Sequence, residues 1–110
     1  MHSSRKEWEI LETEEFEREF EKLPIELQRR FENQLVQVKN DPFGMGKPLG
    51  CNWFRELKNN KYRLYYLVYE KEIITLLVNF SDKNNQQKVI DKIKKSFTWF
   101  KTFIRNNYKD

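Results

Sequence analysis

The sequence predicts an α+β domain in the order β-α-α-β-β-β-α, an antiparallel sheet with a helical hairpin on one face and a C-terminal helix. Three features carry this. Apolar residues repeat at helical spacing up to about residue 40. From Trp53 to Phe80 the pattern turns extended and rich in aromatic and β-branched residues. All three glycines and two of the three prolines fall in the loop between, NDPFGMGKPLGCN at residues 40–52.

Each element follows from its residues. Trp8–Leu11 reads as a first strand. Thr13 can cap a helix whose first turn holds Glu14 and Glu15, where the helix dipole favours negative charge. Phe16, Phe20 and Leu23 form its apolar stripe, and Pro24 breaks it while suiting the first position of a second helix. There Leu27, Phe31, Leu35 and Val38 share one face, and Asn40-Asp41-Pro42 ends the helix. Trp53–Lys58, Lys61–Tyr69 and Ile73–Phe80 read as three meandering strands, with turns at Asn59-Asn60 and Glu70-Lys71-Glu72. Ser81 or Asp82 can cap one last helix, with Val89, Ile93, Phe97, Phe100 and Ile104 on its buried stripe. Trp99 and Phe103 widen that stripe, as they would at a partner or homodimer contact.

A length of 110 residues fits a single domain over 1–110, with a C-terminal helical extension at about 96–110. Seventeen aromatics are enough for a packed core and exclude wholesale disorder. No apolar run is long enough for a bilayer, and the charged start has no apolar secretory stretch, so a cytoplasmic location without membrane contact is expected. Cys51 is the single cysteine, which excludes a disulfide framework and a cysteine-based metal site. His2 is the single histidine, near the terminus, which removes histidine triads and His-rich metal sites. Neither metal nor cofactor is expected. Charge is uneven along the chain. Residues 1–26 carry nine Asp/Glu against four Lys/Arg, and residues 27–110 carry seventeen Lys/Arg against eight Asp/Glu. The basic part suits a polyanion or an acidic protein partner, and it equally suits a lysine-rich solvated surface.

A turn at Asn59-Asn60 sets Glu56 opposite Arg63, Phe54 opposite Tyr65 and Trp53 opposite Tyr66. One sheet face then carries Phe54, Glu56, Lys58, Lys61, Arg63 and Tyr65. The other carries Trp53, Arg55, Leu57, Tyr62, Leu64, Tyr66 and Val68, the better core face. The polar face gathers a carboxylate, cations and aromatic rings, a set that can neutralise phosphate and stack on bases. It reads also as an ordinary solvated face with a Glu56–Arg63 cross-strand pair.

DPFG followed by GKPLG (Gly46–Gly50), then WFRELKNNKYRLYYLVYE (Trp53–Glu70) and a strand ending FSDKNNQQ (Phe80–Gln87), resembles the RelE/ParE toxin superfamily over roughly residues 8–95. The resemblance implies a type II toxin with a cognate antitoxin as partner. A RelE-like member would be a ribosome-dependent mRNA endoribonuclease acting on the ribosome and mRNA. The alternatives are a ParE-like inhibitor of DNA gyrase and a non-catalytic, antitoxin-binding relic. Arg63 matches the family arginine that enters the middle strand, and Lys58 and Glu56 fall where RelE-like proteins place basic or acidic residues. Lys47 sits in the matching loop and Lys83 near the family's basic pair after the last strand. Two departures stand out. Ser81-Asp82-Lys83 replaces the His-Arg or Lys-Lys of many members, and Tyr108 comes too late to match their terminal tyrosine. Metal-independent RNA scission must deprotonate a 2′-OH, stabilise the phosphorane and protonate the 5′-oxygen. On this reading Arg63 stabilises charge, Glu56 is the base or orients Arg63, and Tyr65 stacks on a base or relays a proton. Lys58 and Lys61 hold the RNA backbone, with Lys47 and Lys83 as further contacts.

Overall fold

The computed structural model describes residues 7–108. Its elements are β1 (Glu9–Glu12), α1 (Glu14–Glu21), α2 (Ile25–Asn40), β2 (Lys47–Pro48), β3 (Phe54–Asn59), β4 (Tyr62–Tyr69), β5 (Ile74–Asp82), α3 (Gln86–Lys95) and α4 (Phe97–Tyr108). The α+β class, the helical hairpin and the three-strand antiparallel meander are those the sequence predicts. The five strands lie in the order β1-β5-β4-β3-β2. β1 joins β5 in parallel, Glu9 to Glu12 against Ile74 to Leu77, because α1 and α2 carry the chain back across the sheet before the meander begins. The sheet is therefore mixed. β2 is an extra two-residue edge strand, formed where Lys47 and Pro48 pair with Glu56 and Arg55.

The helical hairpin packs on one face. Thr13 caps α1 as expected, its hydroxyl accepting from the Phe16 amide at 3.1 Å. Phe16, Phe31 and Val38 are buried against Leu57, Leu64, Tyr66, Leu77 and Phe80. The Phe80 ring anchors this layer, stacked on Phe16 at 4.7 Å and edge-on to Phe31 at 5.4 Å.

The second face is covered more fully than the sequence suggests. The last helix is not continuous from Ser81 or Asp82. β5 runs on through both residues, and the chain turns helical only after Asn85. It then breaks at Ser96, whose amide bonds back to Ile93 at 2.9 Å and whose hydroxyl donates to Lys92 at 3.2 Å. A serine hydroxyl that competes for the carbonyl four residues back favours such a break. The break lets both α3 and α4 lay apolar stripes on the sheet. Ile90, Ile93, Phe100 and Ile104 cover Phe54, Tyr65, Leu67, Leu76 and Val78. Trp53 precedes β3 instead of facing Tyr66. It packs edge-on to Phe97 at 4.8 Å, on the α4 side.

The glycine-rich loop is held by two side chains from the hairpin-covered face. Arg55 donates to the Met45 carbonyl at 2.8 Å, to Gly46 at 3.3 Å, and to the backbone and side-chain oxygens of Asn52 at 3.1 and 2.8 Å. The Tyr66 hydroxyl lies 2.8 Å from the carbonyls of both Pro42 and Met45. Gly46, at φ +69°, runs so close to β3 that an added Cβ would stand 2.5 Å from the Glu56 carbonyl. Hydrogen bonds from a charged, buried donor are costly to remove. We therefore expect Arg55→Met to destabilise the fold by about 2 kcal/mol in urea denaturation, through loss of the loop contacts.

Candidate nucleic-acid interface

The site is set by the β3–β4 turn. Asn60 has φ +54°, and the turn residues are Asn60-Lys61, one position later than the sequence suggests. Asparagine tolerates this conformation because its short polar side chain bonds locally. Moving a two-residue turn by one position shifts each cross-strand partner by two, so the faces are unchanged and the pairs are not. Lys58, not Glu56, lies opposite Arg63, and Glu56 lies opposite Tyr65.

Directly paired residues share a sheet face, so the register places two polar rows side by side. The first runs Lys47–Glu56–Tyr65–Asn79 across β2, β3, β4 and β5. The second runs Lys58–Arg63–Ser81. Both lie at the sheet end where α3 begins. The expected Glu56–Arg63 ion pair is absent, because the register moves its partners apart. Glu56 instead accepts from the Gln86 amide of α3 at 3.1 Å. Arg63 is 9% exposed. One of its terminal nitrogens donates to the carbonyls of Asn60 and Tyr62 at 3.1 and 3.2 Å. Its Nε and second terminal nitrogen have no protein partner among the described residues, and neither is sealed from solvent. An arginine oriented by backbone carbonyls with donors left over is suited to grip a phosphate.

Tyr65 cannot take the first of its two expected roles. Its ring is fully buried and cannot stack on a base. The hydroxyl is 2.8 Å from the Ser81 Oγ, tying β4 to β5 beside Arg63. Burial pushes the Tyr65 hydroxyl up from its ordinary range, with Ser81 and Arg63 opposing and Glu56 adding to the rise. Lys47, Lys58, Lys61 and Lys83 are all exposed. Lys61 lies in the turn, its Nζ 5.5 Å above the Tyr62 ring. Lys83 follows β5, next to Asp82, whose carboxylate accepts from the amides of Asn84 and Asn85 at 2.8 and 3.1 Å.

Two neighbours, Asn79 and Gln86, were not singled out from the sequence, and Ser81, read there as a helix cap and a departure from the family pattern, is a third. Asn79 and Ser81 alternate with Phe80 along β5, a period-two signal that marks them on the polar face. Asn79 donates to Glu15 of α1 at 2.8 Å, and Glu15 also receives the Lys92 ammonium at 2.6 Å. That bridge closes the site on its β1 side. Gln86 carries no such signal, since only the path of the β5–α3 turn brings it over Glu56. No cluster of metal-ligating side chains occurs among the described residues, and no helix among them is long and apolar enough to cross a membrane.

This architecture is that of the RelE toxins. E. coli toxin RelE, as a free-state mutant with two arginines changed to alanine, superimposes with a TM-score of 0.69 at 18% identity, covering 82% of this chain and 98% of that one. The intact E. coli RelBE toxin–antitoxin complex gives 0.61 at 20% identity, covering 68% and 95%. The RelBE2 toxin–antitoxin complex of Mycobacterium tuberculosis gives 0.60 at 18%, covering 70% and 99%. No protein-family model and no curated protein sequence matches the chain. The chain thus has the RelE-like fold.

Buried tyrosines predict an alkaline limit to stability. Burial pushes Tyr66 from about 10 up to about 12 and Tyr69 higher still. The folded state thus holds these protons more tightly than the unfolded state. Their contribution is fully present below the unfolded value near 10 and is lost as pH rises through the folded values. Urea midpoints should fall between pH 9 and pH 12, and Tyr66→Phe should flatten that decline (about pH 10 is where unfolded tyrosine titrates).

Proposed function

We propose that this chain is the toxin of a type II toxin–antitoxin pair and that it cleaves mRNA on the ribosome. The observation that carries the reading is Arg63, held by backbone carbonyls with Nε and one terminal nitrogen unpaired, beside exposed Lys58 on a rigid sheet. The RelE-like fold supports it, since the RelE proteins of similar fold are toxins solved alone or with their antitoxins.

In the proposed reaction the 2′-oxygen attacks the adjacent phosphorus, its proton is lost, and the bond from phosphorus to the 5′-oxygen breaks. The leaving 5′-oxygen takes a proton from solvent water, and a 2′,3′-cyclic phosphate and a 5′-hydroxyl result. Arg63 stabilises the charge that grows on the non-bridging oxygens. Lys58 and Lys61 hold the flanking phosphates, with Lys47 and Lys83 as outer contacts. Glu56, on the same sheet face one pair along from Arg63, takes the 2′-proton, on release of Gln86. Tyr65 and Ser81 brace the strand under Arg63. With no histidine among residues 7–108, the ribosome supplies much of the alignment. An antitoxin carrying acidic residues would mask these cations and speed its own association.

One observation favours a second reading. Glu56 is buried and already bonded to Gln86, as in a protein that needs no base. That protein would be a non-catalytic toxin such as a ParE-like DNA gyrase inhibitor.

Induced expression in bacteria tests the proposal. The wild type should arrest growth, and Arg63→Ala should relieve the arrest while its circular dichroism stays near wild type and its melting falls only by what the two lost turn bonds contribute, leaving it folded at the growth temperature. Loss of a group stabilising transition-state charge should lower cleavage by about 100-fold or more, and Glu56→Ala should do less. A folded Arg63→Ala that stays fully toxic would overturn the assignment of this face.

A further inference from the structure

A cavity lies at the opposite end of the sheet from Arg63. It is a half-open cleft of about 580 Å³ between the start of β3, the end of β4, the Glu70–Glu72 turn and α4. Along β4, Arg63 and Tyr69 are six residues apart, roughly 20 Å at about 3.3 Å per residue. The cavity is therefore separate from the polar rows.

Its lining divides by chemistry. Phe43, Trp53 and Tyr69 supply aromatic surface, and Trp53 is 41% exposed even with its edge-on contact to Phe97. Tyr69 is half-buried and lines the cavity. Lys101 and Arg105 stand four residues apart on α4, on one helix face, and both are exposed at the rim. Neither is ion-paired within the described residues. Glu72 lines the same cavity, an acceptor suited to the amino group of a base.

Flat aromatic surface with two adjacent cations fits a planar ring bearing an anion. We propose that this cavity binds one nucleotide unit, with the base against Trp53 and Tyr69 and the phosphate on Lys101 and Arg105. The volume is within the range of small-ligand pockets. The unit can come from a free mononucleotide or from a single-stranded RNA, and in either case it is held away from the Arg63 face. The inference does not depend on the toxin reading, because binding is measured without any cleavage or growth assay.

The test is an amide NMR titration of the full chain with AMP, with inorganic phosphate and with a short single-stranded RNA. AMP should move the amides of residues 52–53, 69–72 and 97–105 and leave those of 58–63 and 81–83 in place. Phosphate should bind at least tenfold more weakly than AMP. The double variant Lys101→Glu, Arg105→Glu alters only exposed rim residues and should weaken AMP at least tenfold. Trp53→Leu should weaken AMP and leave phosphate unaffected. Comparable shifts with AMP and RNA indicate the free nucleotide as ligand, and shifts at much lower RNA concentration indicate the polymer. Absence of shifts at 52–53, 69–72 and 97–105 with both AMP and RNA would overturn the proposal. So would unchanged AMP binding to the folded double variant.

Discussion

The arrangement depends on the backbone of one residue. Asn60 takes a positive φ, and that starts a two-residue turn at Asn60-Lys61. From there the register of β3 on β4 is determined, and Arg63 falls opposite Lys58. Lys58 is exposed while Arg63 is buried, and the Asn60 and Tyr62 carbonyls that accept from the Arg63 guanidinium offset the repulsion between them. Two like charges directly opposed are unfavourable in an isolated hairpin. A sheet that keeps such a pair beside its β3–β4 turn has an anion as its natural complement.

β4 then serves two purposes along its length. Leu64, Tyr66 and Val68 pack under the helical hairpin, while Tyr65 and Leu67 pack under α3 and α4. A central strand buried on both faces is stiff, so Arg63 at its start inherits a fixed position. The bulge between Tyr65 and Tyr66, where β5 shifts register, adds local twist next to the site. Bonds from Asn79 to Glu15 and from Gln86 to Glu56 tie α1 and α3 to the polar rows. Such preorganisation is what electrostatic stabilisation of a transition state requires, since donors already in place need no reorganisation.

The fold was largely legible because its elements differ in period. The stripe Leu27, Phe31 and Val38 and the alternation along Tyr62–Tyr69 leave little choice of helix or strand. What stayed hidden were interactions between elements. Two adjacent asparagines offer two possible turns, and only the packed sheet selects Asn60-Lys61. The break at Ser96 depends on both helical stripes finding room on one face. The candidate site was legible as a set of cations and a carboxylate on one face. Its pairings were not, because they follow from the register, and the burial of Tyr65 follows from the position of α3 and α4. Gln86 over Glu56 is a tertiary contact thirty positions apart in sequence, with no local pattern to announce it.

The central claim is that the Arg63 end of the sheet is an RNA-cleaving surface that works on the ribosome. The most direct measurement is to add the purified chain to programmed ribosomes and map the 3′ and 5′ ends of the mRNA at single-nucleotide resolution. The account predicts new ends within the codon exposed at the decoding site, bearing a cyclic phosphate and a 5′-hydroxyl, and no cleavage of the same mRNA without ribosomes. Intact mRNA on ribosomes, together with inhibition of gyrase supercoiling by the same preparation, would contradict it.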